Sequence, residues 1–166
     1  MSMPENVLTE SPQKDPDTEG YVDRKRHLWV LSVLWPATPL IGLYLVSQTG
    51  WSIWYGLVLI FWYGAVPLMD AMFGEDFSNP PESAVPRLEQ DRYYRVLTYL
   101  TVPIHYASLI VSCWWVATHS MNVFEFLALA FSLGIINGLA LNTGHELGHK
   151  KETFDRWMAK LVLAVV

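Results

Sequence analysis

Long runs of apolar residues dominate this sequence, and short clusters of polar and charged residues separate them. Residues 28–46 carry no charge and are long enough to cross a hydrocarbon core about 30 Å thick. Pro36 and Pro39 are expected to kink this first span, which membrane helices tolerate when neighbouring helices satisfy the freed carbonyl groups. Residues 51–73 form a second run, which is uncharged until Asp70. The pattern therefore predicts two membrane-spanning helices in the first half of the chain.

Two further apolar runs, residues 96–117 and 124–141, bring the number of predicted spans to four. The polar loop before the third span contains the sequence NPPE at 79–82, which blocks a helix there. The run from Trp157 onwards looks like the opening of a fifth span, with about half the length that a span needs. We therefore predict an all-α, polytopic bundle with four complete spans and the start of a fifth, and expect an N-terminal fragment of a longer protein.

The first 23 residues differ in composition from everything that follows. Residues 1–23 are polar, contain proline and glycine, and show no apolar periodicity, so we expect a disordered tail. They contain no apolar segment of the kind found in a cleaved signal peptide. Residues 24–166 are expected to form part of one transmembrane domain, truncated in this chain.

Basic residues cluster at alternate ends of the predicted spans. They precede span one, follow span two and follow span four, and the loops after spans one and three contain none; the residues are Arg24, Lys25, Arg26, Arg87, Arg92, Arg95, Lys150, Lys151 and Arg156. The positive-inside rule places basic loops in the cytoplasm. The N-terminus and the end of span four are therefore predicted to be cytoplasmic.

Composition agrees with a membrane protein and excludes other classes. Hydrophobic residues make up 52% of the chain, and charged residues 16%, against about 25% in soluble domains. The formal net charge of -5 gives no basic surface for nucleic acid. The single cysteine cannot form an internal disulfide.

The candidate chemistry lies at the end of span four, in the sequence NTGHELGHKKE at 142–152. If the helix continues through it, His145 and His149 stand one turn apart on one face. Two neutral imidazoles in that arrangement can bind one metal ion. Polar residues near membrane depth are functional candidates by default, although two histidines among lipid headgroups are the alternative.

Three small or polar residues near the histidines strengthen the prediction of a functional site at this helix end. Gly144 and Gly148 are four residues apart and allow a neighbouring helix to approach closely. Asn142 precedes His145 by three residues and lies on roughly the same face. It is a candidate for orienting a metal ligand, or for bridging to another helix.

Glu146 makes the motif ambiguous. The pattern H-E-x-x-H is a zinc-protease signature in which the glutamate is the general base. In another metal site Glu146 would orient a ligand. A membrane zinc protease needs one further ligand and an open water position, whereas an iron oxygenase or desaturase needs more ligands from other helices. Imidazole suits both metals, so spacing alone leaves both open.

Three residues in other spans are further candidates. Trp62 in span two could set how deeply an apolar substrate reaches, although packing or lipid contact is the alternative. Asp70 lies at the cytoplasmic end of span two and could accept a hydrogen bond from a ligand histidine, or simply mark the helix end. His105 lies roughly 14 Å from the cytoplasmic end of span three. We expect it to be too deep for the same metal and to form a hydrogen bond within the bundle.

Four longer stretches resemble the bacterial integral-membrane alkane 1-monooxygenases. NTGHELGHKKETFDRWMAK resembles the first histidine box of that family, and the likeness extends through LWPATPLIGLYL, WYGAVPLMDAMFGEDFSNPPE and DRYYRVLTYLTVPIHYASLIVSCWW. It covers roughly residues 20–166. The combination of these stretches is much more specific than HELGH alone.

The resemblance implies a six-helix protein of the bacterial inner membrane with two non-haem iron ions at its cytoplasmic face, ligated by histidines from several boxes. Such enzymes use O2 to convert medium-chain alkanes to primary alcohols, with electrons from NADH passed through rubredoxin reductase and rubredoxin. The ligand role carries over to His145 and His149 only. The later boxes do not occur in this chain, so we expect the chain alone to be inactive. A histidine-box fatty-acid desaturase or hydroxylase is the nearest alternative; a zinc protease and a non-enzymatic membrane protein are more distant.

Overall fold

The computed structural model describes residues 21–74 and 80–166. All regular elements within these two ranges are helical, which confirms the predicted all-α class. Three of the helices are long and apolar enough to cross a membrane, and the number is four if a bent pair counts as one span. The predicted tail lies outside the described residues except for its last three.

The first predicted span is a broken helix. Helix α1 (Arg26–Leu34) and helix α2 (Thr38–Thr49) meet at a 61° bend. Pro36 lies in the break, where it removes a backbone donor, and Pro39 occupies the first turn of α2, where a missing N–H costs nothing. The Ser108 hydroxyl of a neighbouring helix donates to the carbonyl of Pro36. The predicted kink is therefore confirmed, and a hydroxyl group of another membrane-spanning helix bonds to the carbonyl group that the break leaves free.

Helix α3 (Ser52–Phe73) is the second span, and its hydrogen-bond pattern changes along its length. A 3₁₀ turn over Ser52–Gly56 opens it, and a π-helical segment covers Phe61–Ala65. Pro67 follows that segment and has no N–H to donate to the preceding turn, which accounts for the local widening. π-Segments of this kind re-aim side chains and often occur at functional sites.

Two long helices form the centre of the bundle. After the short helix α4 (Val85–Gln90), helix α5 (Arg92–Thr118) and helix α6 (Val123–His149) each have 27 residues, or about 40 Å. Asn122 caps α6 by accepting from the amide of Glu125 at 3.1 Å, and the Glu125 carboxylate accepts from the Asn122 amide at 2.8 Å. Because α6 ends at His149, the helix does continue through the histidine motif, which was the condition for the two histidines to share one face.

The predicted opening of a fifth span forms helix α7 (Thr153–Leu163), which packs back along the end of α6. A Cβ atom built on Gly144 would lie 2.6 Å from the Leu163 side chain, and one on Gly148 would lie 4.0 Å from Ala159. The two helices are therefore antiparallel, and glycine is needed at 144 for their close approach.

Candidate functional site

The two histidines of the motif lie side by side on the last turns of α6. Their ring centroids are 4.5 Å apart, the ring planes differ by 78°, and the Nε2 atoms of His145 and His149 are 3.2 Å apart. A metal–imidazole bond of about 2.0–2.1 Å would give an N–metal–N angle of about 100° across this gap. Both side chains are exposed. The separation of the two nitrogen atoms is therefore compatible with one shared metal ion.

The described part of the chain provides only this pair. Among residues 21–74 and 80–166, no group of three or more histidine, cysteine, aspartate or glutamate side chains could hold a metal ion. A zinc site takes three or four protein ligands. To hold such a metal ion, the histidine pair would therefore need further ligands.

An open cleft of about 460 Å³ surrounds the histidine pair. Lys150 lies within it and contacts two carboxylates: its Nζ atom is 3.2 Å from Glu89 Oε2 and 3.6 Å from Glu146 Oε1. Glu146 is thus directed to a lysine on its own helix end. Glu89 belongs to α4, so this lysine also links that short helix to the end of α6.

A second cavity, of about 450 Å³, lies between α1, α3, α5 and α6, and its lining is mainly apolar and aromatic. It shares Glu89 and Glu146 with the histidine cleft. Its other lining residues are Trp29, Ser32, Trp35, Pro36, Trp62, Leu88, Tyr94, Leu97, Thr98, Thr101, His105, Ile136, Leu139 and Thr143. The cavity therefore begins beside the histidine pair and extends into the membrane-spanning part of the bundle.

The length of this cavity can be measured along two helices. On α5 its lining extends from Tyr94 to His105, and on α6 from Ile136 to Glu146. At about 1.5 Å rise per residue, both stretches are roughly 15 Å long. Because α5 and α6 are antiparallel, His105 and Ile136 mark the deep end, and Tyr94 and Glu146 mark the mouth beside the histidine pair.

Two stacked indoles form one wall of the cavity. The ring centroids of Trp35 and Trp62 are 4.7 Å apart, and the planes differ by 14°. Trp35 ends α1 at the bend, and Trp62 lies in the π-segment of α3. The two irregular backbone segments of the first two spans therefore aim both tryptophans into the same space.

Several curated proteins are similar to this chain in sequence. The chain is 83% identical over 164 residues to alkane 1-monooxygenase 1 of Alcanivorax borkumensis, which covers 99% of this chain and 41% of the relative. It is 75% identical over 146 residues to the alkane 1-monooxygenase of Ectopseudomonas oleovorans, covering 88% of this chain and 36% of that protein. It is 68% identical over 161 residues to the alkane 1-monooxygenase of Pseudomonas putida, covering 97% of this chain and 38% of that protein.

The chain belongs to the alkane 1-monooxygenase family. The family assignment rests on identity over nearly the whole chain, since no protein-family model matches it. The chain spans about two fifths of the length of these relatives.

The other predicted site residues differ in whether they lie beside the histidine pair. Asn142 lines the histidine cleft, yet its side chain forms no hydrogen bond to His145 or His149 in the described part of the chain. Asp70 is exposed near the end of α3, and over residues 21–74 and 80–166 it has no side-chain bond to either imidazole. Its position matches the alternative interpretation as a helix end.

His105 is buried, with 4% of its surface exposed, at the deep end of the cavity. Its imidazole lies beside Asn137 of α6. However, neither Nδ1 of His105 nor Oδ1 of Asn137 has a partner with hydrogen-bond geometry among the described residues. His105 and Asn137 therefore lie next to each other, as the predicted hydrogen bond requires, but these two atoms do not meet full hydrogen-bond geometry.

Sequence reasoning missed three residues around the two cavities. Glu89 and Lys150 link α4 to α6, and Trp35 stacks on Trp62. A tryptophan directly before a helix-breaking proline was the available signal for Trp35. The Glu89–Lys150 ion pair joins residues far apart in sequence, and no local pattern indicates it.

A charged cluster holds α7 against α5 and thereby supports the end of α6. Arg95 Nη2 is 2.6 Å from Glu152 Oε2 and 3.2 Å from Asp155 Oδ2. The Tyr99 hydroxyl also donates to Asp155. Asp155 is 2% exposed, and a buried carboxylate is tolerated only when it is paired and hydrogen-bonded in this way.

Proposed function

We propose that the complete protein hydroxylates the terminal carbon of medium-chain n-alkanes with O2 at a non-haem di-iron site, for which His145 and His149 provide two ligands. The overall reaction is R–CH3 + O2 + 2 e⁻ + 2 H⁺ → R–CH2OH + H2O. The observation that carries the proposal is a metal-compatible nitrogen pair beside the mouth of a deep apolar cavity. The names of the relatives point to the same chemistry.

Bound iron would supply the activation of O2, because no side chain can oxidise an unactivated C–H bond. The residues of this chain have the remaining tasks. His145 and His149 would hold iron through Nε2. Lys150 keeps Glu89 and Glu146 at the boundary between the cleft and the cavity. Their charged carboxylates would keep the apolar chain out of the aqueous cleft. The terminal methyl group would then stop at the mouth of the cavity.

The cavity length supports a medium-chain substrate. A chain of single bonds in extended conformation advances about 1.2 Å per bond, as three backbone bonds do per residue of about 3.6 Å. A cavity of roughly 15 Å therefore holds about twelve bonds. The alkyl tail would lie along the stacked Trp35 and Trp62, with its far end near His105.

The membrane setting supports the proposed partners and orientation. An alkane partitions into lipid, and this cavity lies among apolar spans. The basic loops favour a cytoplasmic histidine pair, in a protein of the bacterial inner membrane. A soluble donor such as rubredoxin, reduced by an NADH-dependent reductase, would dock on that exposed face.

Two alternatives remain as competing outcomes. A histidine-box fatty-acid desaturase or hydroxylase would use the same type of iron site, and the names of the relatives favour the alkane enzyme over it. A zinc protease would need Glu146 beside the metal-bound water. Its carboxylate instead lies 3.6 Å from Lys150, which disfavours that role.

The test uses a hybrid that joins this chain to the remaining part of the Alcanivorax borkumensis relative, in membranes with rubredoxin and its reductase. We expect about two irons per protein and conversion of n-alkanes to 1-alkanols. His145→Ala and His149→Ala should each reduce bound iron and abolish turnover, because each removes one ligand. His119→Ala is the matched control, since His119 is an exposed histidine on the far side of the bundle, stacked on Trp115. Zinc in place of iron, or full activity in His145→Ala, would refute the proposal.

A further inference from the structure

Two buried polar atoms lie at the deep end of the cavity, one on the lining residue His105 and one on its neighbour Asn137, which is 8% exposed; the proposed alkane reaction uses neither. His105 Nδ1 and Asn137 Oδ1 belong to side chains on α5 and α6 that lie next to each other, and neither atom has a partner with full hydrogen-bond geometry among the described residues. His105 is 4% exposed and lines the cavity. An alkane cannot satisfy either atom, and leaving buried polar groups unpaired is unfavourable.

From this, and resting on the proposed alkane hydroxylation, we propose that His105 and Asn137 form a subsite for the hydroxyl group of a primary alkanol. The alkanol would lie in the cavity with its hydroxyl at the deep end and its methyl group at the histidine end. The protein would then hydroxylate medium-chain 1-alkanols at the far carbon and form α,ω-diols.

The chemistry of the two atoms selects a hydroxyl. The Asn137 carbonyl oxygen only accepts hydrogen bonds, whereas an imidazole nitrogen either donates or accepts, according to its tautomer. A hydroxyl both donates and accepts, so it can donate to Asn137 Oδ1 while it accepts from His105 Nδ1–H. An ether oxygen has no proton for Asn137. A carboxylate would place a charge deep in the membrane, where charge is costly.

The distance selects the chain length. The hydroxyl end and the methyl end lie roughly 15 Å apart along the helices, or about twelve bonds at about 1.2 Å per bond. 1-Dodecanol has that number of bonds from its oxygen to its methyl carbon. n-Tridecane and 1-methoxyundecane have the same number of non-hydrogen atoms and are therefore matched probes.

The reaction balances with the reagents of the proposed function. HO–(CH2)11–CH3 + O2 + 2 e⁻ + 2 H⁺ gives HO–(CH2)12–OH + H2O. One terminal C–H bond breaks and one C–O bond forms. The second oxygen atom is reduced to water by the two electrons from rubredoxin.

The test gives 1-dodecanol to the hybrid enzyme and measures the ratio of 1,12-dodecanediol to dodecanal. The diol arises when the methyl group is at the histidine end, and the aldehyde arises when the hydroxyl-bearing carbon is there. Because both products form in the same enzyme, the ratio is independent of iron loading. We expect the diol to predominate in the unaltered hybrid.

His105→Leu and Asn137→Leu should each lower the diol-to-aldehyde ratio about tenfold, the equivalent of one hydrogen bond of about 1.4 kcal/mol. His105→Gln should restore part of the ratio, since its amide again offers a donor and an acceptor. Ser112→Ala is the control. Like the two tested residues, Ser112 is buried and its Oγ lacks a partner in the described part of the chain, but Ser112 does not line this cavity. 1-Methoxyundecane should be a poorer substrate than 1-dodecanol.

A binding measurement avoids turnover altogether. In the metal-free hybrid with ¹⁵N-labelled histidine, 1-dodecanol should shift the His105 resonance, assigned by its loss in His105→Gln, and n-tridecane should not. A ratio unchanged in His105→Leu, an equal change in Ser112→Ala, or the absence of diol would overturn the proposal. An iron-loaded hybrid that oxidises no alkane would instead overturn the proposed function.

Discussion

The two carboxylates that share Arg95 offer a direct test of what holds α7 in place. Glu152 and Asp155 contact the same guanidinium group, at 2.6 Å and 3.2 Å. Their side chains differ in exposure, with 61% for Glu152 and 3% for Asp155. The shorter contact is thus the more exposed one. Burial, and not distance, should decide which contributes more, because water screens an exposed pair.

The expected magnitudes follow from that difference. Glu152→Gln should destabilise the packing of α7 by at most about 1 kcal/mol, the range of exposed ion pairs. Asp155→Asn keeps the shape but removes charged hydrogen bonds to Arg95 and Tyr99, each of which is worth about 1.5–3 kcal/mol. Because the amide can still accept neutral hydrogen bonds of about 0.5–1.5 kcal/mol from both partners, the net loss is about 1 kcal/mol per bond, or about 2 kcal/mol in total and roughly thirtyfold in the opening equilibrium.

Amide hydrogen exchange of Thr153–Leu163, in the hybrid protein in nanodiscs, measures that equilibrium directly. Asp155→Asn should speed exchange of this helix by at least tenfold, and Glu152→Gln by less than about fivefold. Equal acceleration in the two variants, or a larger effect of Glu152→Gln, would refute the assignment of the anchoring role to the buried carboxylate.

Three further predictions concern other parts of the structure. Trp62→Ser removes one of the two stacked indoles that line the cavity and so enlarges it; the hybrid should then accept longer alkanes, and an unchanged chain-length profile in product analysis would contradict this. Gly42→Ala should strongly lower thermal stability, because its Cβ would lie 2.5 Å from the Trp54 carbonyl oxygen, whereas Gly138→Ala meets open space and should be neutral or stabilising by up to about 1 kcal/mol. The Tyr94 hydroxyl of α5 donates a hydrogen bond to Asp23 and lowers the pKa of that carboxyl. This bond stabilises the N-terminal contact above about pH 4, and the contribution is lost as the pH falls further and the carboxyl becomes protonated. Asp23→Asn should abolish this pH dependence, measured as the rate of limited proteolysis.

The spans could be predicted from sequence because each depends on a local property. Uncharged length identified the four apolar runs, and proline chemistry identified the bend at Pro36. The adjacency of His145 and His149 required only that one helix continue through four residues. Each of these features is decided within a single segment of chain.

The cavities could not be predicted in the same way, because their walls come from distant segments. The stack of Trp35 on Trp62 depends on a bend in one span and a π-segment in the next. The ion pair between Glu89 and Lys150 depends on where a short surface helix docks. The pattern of apolar and polar residues in a segment indicates which of its faces contacts lipid, water or protein. It carries little information about which other segment packs against it.

The close packing of α7 on α6 has a consequence for the order in which the protein acquires its structure. Only three residues, 150–152, separate the two helices, and Gly144 meets Leu163 across the turn. Contacts between segments so near in sequence form early, since little chain entropy is lost in closing a short loop. A growing chain can thus form this helical hairpin as soon as α7 has been synthesised. The histidine pair at the end of α6 would then take up its position at the same early stage.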